Sequence, residues 1–99
     1  MISKVFYTSL RAGRDKSLLT KIADLANAAG IREVVRENGL SAIKIHFGER
    51  GNTAFIRPLL VRPIVDLVIS AGGKPFITDT TALYPGGLRR PLFHRVCDR

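Results

Sequence analysis

Ninety-nine residues with a hydrophobic fraction of 45% hold one domain with a modest core. No apolar run approaches the roughly 18–20 residues that cross a bilayer, and the opening M-I-S-K-V-F-Y lacks a signal peptide's apolar stretch, so a cytoplasmic location is expected. A single cysteine, Cys97, excludes an internal disulfide, a C-x-x-C redox pair and a four-thiolate cluster, while a net charge of +8 raises nucleic acid as a partner.

Residues 4–10, K-V-F-Y-T-S-L, are rich in β-branched and aromatic types and read as a first strand. The polar connection R-A-G-R-D follows. A helix is predicted over residues 17–29, where Leu18, Leu19, Ile22, Leu25, Ala26 and Ala29 recur at the helical period. Asp15 or Ser17 is its expected cap, and Gly30 its left-handed stop. Residues 31–38 read as one or two further helical turns, with Ile31, Val34 and Val35 inward and Gly39 as terminator.

Residues 41–47 form the second expected strand. Ile43, Ile45 and Phe47 share one face; Ala42, Lys44 and His46 share the other. A long loop to Ile56 follows, and then a helix over residues 58–71. Pro58 suits its first position, and Leu60, Val61, Ile64, Val65, Val68 and Ala71 form its stripe. Arg62 can pair with Asp66 one turn on. Pro63 costs about 3 kcal/mol inside a helix, so a kink or an effective start near Arg62 is predicted. Gly72-Gly73 ends the helix, and residues 75–80 make a third strand.

The order strand, helix, helix, strand, helix, strand predicts an α/β fold: a three-stranded, mostly parallel sheet with βαβ crossovers and helices packed on it. So small a parallel sheet points to part of a larger doubly wound fold, with an uncovered edge through which a homodimer could form. Residues 1–87 are assigned to this domain. Residues 88–99, with Arg89, Arg90, Arg95 and Arg99, read as a basic tail of poor order. The remaining positive charge is scattered, and five Phe, two Tyr and no Trp form no base-stacking platform, which argues against a nucleic-acid role.

The chemistry concentrates where the second and third strands end. His46 offers a base or ligand, and Glu49 and Asp79 add carboxylates; these three are the catalytic candidates. Gly48, Asn52 and Thr53 allow close backbone approach. Arg57 and the following helix start add positive potential, which suits a phosphate or carboxylate. Lys44, on the His46 face, and Thr80 and Thr81, beside Asp79, complete the expected ligand set. No P-loop, dinucleotide fingerprint or Ser–His–Asp spacing is present. The bland alternatives are a histidine bonded to backbone, a solvated Glu49, and an Asx turn at Asp79.

Three runs carry a resemblance: S-K-V-F-Y-T-S-L-R, A-I-K-I-H-F-G-E-R-G-N-T-A-F-I-R-P and G-G-K-P-F-I-T-D-T-T-A-L-Y. Over about residues 1–87 the chain resembles the N-terminal portion of the domain of unknown function 362 family. The resemblance implies an iron–sulfur-associated, redox-linked setting, with clusters bound only in longer relatives and no cofactor in this chain. Independently of the resemblance, the two strands running out into polar, Gly-rich loops predict a pocket for a small molecule or anion at the strand ends. After Gly87 the chain is expected to leave the family pattern, which suggests a truncated or frameshifted gene. The alternative functions are a metal-dependent enzyme domain using His46, Glu49 and Asp79, and a polyanion or nucleic-acid binder.

Overall fold

The computed structural model describes residues 2–46, 48 and 51–80. Its elements in chain order are α1 (Leu18–Ala28), α2 (Ile31–Val34), β1 (Leu40–Lys44), α3 (Pro58–Ser70) and β2 (Lys74–Thr78). The fold class is α/β with parallel pairing, as the alternation of elements implies.

α1 begins where Ser17 Oγ accepts the Thr20 N–H at 3.1 Å, satisfying one of the donors that every helix start leaves open. It ends at Ala29, and Gly30 then takes φ 86°, a left-handed conformation that glycine adopts without a Cβ penalty. Ser17 is thus the cap, rather than Asp15. α2 is shorter than its sequence suggests. Val35 is already extended, and Asn38 is left-handed at φ 58°. There the Asn38 N–H donates to the Gly72 carbonyl at 2.7 Å, tying the entry of β1 to the turn after α3.

α3 starts at Pro58, with Pro63 inside it. The predicted late start near Arg62 is not seen. Pro63 removes the donor that would reach the Leu59 carbonyl, and Leu59 stands 64% exposed, where water can serve that oxygen. Arg62 pairs with Asp66 at 3.0 Å, as the spacing implies.

β1 and β2 form a two-stranded parallel sheet in which Leu40 lies beside Lys74, Ala42 beside Phe76 and Lys44 beside Thr78. The first strand, expected over residues 4–10, is not formed. Val5, Tyr7 and Leu10 are more than four-fifths exposed, and no ladder includes them. β-propensity reports how well a side chain fits a pleated, half-buried surface, and here the segment has no such surface against it.

α1 packs on α3, α3 packs on β2, and α2 touches both helices. The buried apolar side chains among the described residues are Val61, Leu67 and Val68, all on α3. Gly73 is buried where the α3–β2 turn passes beneath them. A Cβ there would stand 2.7 Å from Val35 Cγ1 and 2.9 Å from Val68 Cγ1, so this crossing needs a glycine. No described helix is long and apolar enough to cross a membrane.

Candidate functional site

The parallel register decides which polar groups meet. Lys44 and Thr78 are paired at the end of the ladder, and the Ile45 N–H donates to the Thr78 carbonyl at 3.0 Å. The two chains therefore leave the sheet side by side, and His46 and Asp79 leave with them. His46 Nδ1 lies 3.3 Å from Asp79 Oδ2, and Lys44 Nζ lies 3.6 Å from Asp79 Oδ1. The Thr80 N–H donates to Asp79 Oδ1 at 2.7 Å.

The carboxylate is the enclosed member of this group. The Asp79 side chain is 6% exposed, against 51% for His46 and 62% for Lys44. Its carboxyl is held below the ordinary aspartate value, first by the Thr80 backbone N–H. Burial acts in the opposite sense, and the His46 hydrogen bond and the charges of Lys44 and His46 add to the lowering. Asp79 is therefore ionised at neutral pH. An ionised carboxylate beside Nδ1 accepts the N–H of that nitrogen, which leaves Nε2 on the far side of a half-exposed ring.

The structure thus brings Lys44, His46, Asp79 and Thr80 together. No described hydrogen bond or ion pair joins the loop candidates to them. Asn52 Oδ1 accepts the Ala54 N–H at 2.8 Å and closes a local Asx turn. Gly48 takes φ 96° under the Phe55 ring, which would stand 2.9 Å from a Cβ at that position. Thr53 and Arg57 are exposed, and no described hydrogen bond joins them to the cluster. Glu49 and Thr81 lie outside the described residues, as does the tail from residue 88. Among the described residues no three His, Cys, Asp or Glu side chains are grouped to hold a metal.

Two features escaped the sequence reading. One is Phe55, whose aromatic side chain between Ala54 and Ile56 was the available signal that the loop folds back over Gly48. The other is an apolar groove along α2 and the outer side of β1, lined in part by Ile31, Val34, Val35, Leu40, Ile64 and Val68. Neither His46 nor Asp79 is among the residues that line it.

Fold and cluster together define an α/β protein with an aspartate–histidine pair at the carboxyl ends of neighbouring parallel strands. The chain belongs to the family described as Domain of unknown function (DUF362), whose model matches residues 42–96, more than half its length. The match begins within β1, takes in the loop, α3 and β2, and continues past Gly87, where a departure from the family pattern was expected. It does not extend over the N-terminal run. No curated protein and no solved structure matches the chain.

Proposed function

We propose that this chain is a small-ligand module in which His46 exchanges a proton with a bound anionic molecule. The observation behind this reading is the 3.3 Å approach of His46 Nδ1 to the enclosed, ionised Asp79 carboxylate. Asp79 would orient the ring and keep Nε2 free to accept a proton, the division of labour that a carboxylate–histidine pair serves wherever it supports general-base chemistry. Lys44, two residues before His46 on the same strand face, would hold a carboxylate or phosphate group of the ligand. The strand ends suit this use, because ligands of open α/β sheets gather outside the carboxyl edge. The scattered distribution of the remaining positive charge favours a local anion site over a nucleic-acid track.

The test is an NMR titration of the 15N-labelled chain with inorganic phosphate, acetate and glycolate. A saturable shift of the His46 ring signals, lost in Lys44→Met, is the expected result. If none of the three anions moves those signals up to tens of millimolar, the anion-site reading fails.

A further inference from the structure

We infer that the open edge of β1 is a docking site for one strand, and that its occupant is the chain's own segment 4–10. β1 has β2 on one side only. The Gly39 carbonyl accepts from Lys74 N–H at 2.8 Å, and Ile45 N–H donates to Thr78. Backbone groups alternate in direction along a strand, so those of Leu40, Ala42 and Lys44 turn to the other edge, where no described strand meets them. That edge borders the apolar groove lined by α2 and α3.

The topology says what belongs there. Crossovers between parallel strands are almost always right-handed. α3 carries the chain from β1 to β2, and α1 packs directly on α3. A strand that fed α1 on this same face, and then returned through α2 to β1, must lie on the side of β1 away from β2. Residues 4–10 immediately precede α1 and carry the β-branched and aromatic content of a strand. Their exposure fits a strand lifted off its seat: Val5 is 90% and Tyr7 86% exposed. The far end of the segment is already held near the body. Lys21 Nζ donates to the Ser9 carbonyl at 3.4 Å, to Ser9 Oγ at 3.2 Å and to the Arg11 carbonyl. This tether to α1 favours the chain's own segment over that of a second copy.

Docking would add one parallel strand, pair the outward amides of β1 and cover the groove. It is independent of the His46 chemistry.

The experiment is residue-resolved amide hydrogen exchange on the intact 99-residue chain, with light scattering on the same sample. The expected result is a monomer in which the amides of Phe6, Thr8, Ala42 and Lys44 exchange at least about ten-fold more slowly than an unstructured reference. In Thr8→Pro, which removes a ladder donor, Ala42 and Lys44 should lose that protection while the α1 and α3 amides keep theirs. Random-coil exchange throughout residues 4–10 in the unaltered chain overturns the proposal. So does a dimer whose mixed-isotope sample shows contacts between one copy's segment and the other copy's β1.

Discussion

Asp79 stands one residue past the end of β2 and His46 two residues past the end of β1, yet their side chains meet at 3.3 Å. The contact follows from the register: once Lys44 and Thr78 are paired, the next residues of both chains have nowhere to diverge until the ladder stops.

Replacing Asp79 with Asn would remove the acceptor that fixes the histidine tautomer. In the unaltered chain at pH 8, long-range proton–nitrogen spectra should show the neutral His46 ring protonated at Nδ1. In Asp79→Asn that bias should weaken or reverse. An unchanged tautomer would mean that the carboxylate does not orient the ring.

Acid should also reveal Asp79. Its folded carboxyl value is lowered, so the folded state binds this proton less readily than the unfolded chain does. The resulting stabilisation is fully present above the unfolded value near 4 and is lost as pH falls through the folded value below it. Urea midpoints of the unaltered chain should exceed those of Asp79→Asn at pH 6–7, and the gap should narrow steadily below about pH 4. A gap that persists unchanged into strong acid would assign the stability of this corner to packing instead.

Gly73→Ala should be costly although the residue lies outside the cluster. The new methyl would meet Val35 and the 3%-exposed Val68 at under 3 Å. Overpacking of this kind destabilises by about 1–3 kcal/mol. A thermal melt within experimental error of the unaltered chain would show that the α3–β2 turn can shift away from α2.

Pro63→Ala should stabilise the chain. It restores the donor for the Leu59 carbonyl, worth about 3 kcal/mol in a helix interior, and gives back about 0.4–1 kcal/mol of unfolded-state entropy. A net gain of about 2 kcal/mol in the denaturation free energy is expected. A loss would indicate that the proline ring is itself a packing element of α3.

Most of the helical framework was readable because its signals are local. Ser17 caps with its own hydroxyl, Gly30 supplies its own left-handed turn, and Pro58 pre-sets its own φ. The alternation of Ile43, Ile45 and Phe47 against Ala42, Lys44 and His46 likewise set Lys44 and His46 on one face in the sequence. What failed depends on neighbours. Residues 4–10 have strand composition, but a strand exists only against another strand, and nothing in K-V-F-Y-T-S-L states where its partner sits. α2 stops at Val34 because the Asn38–Gly72 tie draws the chain into β1, a contact between residues distant in sequence. The closing of Phe55 over Gly48 depends in the same way on residues seven apart in the chain meeting across the loop.

The burial of Val61, Leu67 and Val68 alone among the described apolar side chains sets a thermal signature. When so little oily area is newly wetted on unfolding, the heat-capacity increment is small and the free-energy curve is shallow. Warming should therefore loosen this body over a wide interval instead of at a sharp temperature. A molecule that gripped both strand tips at once would make that transition steeper.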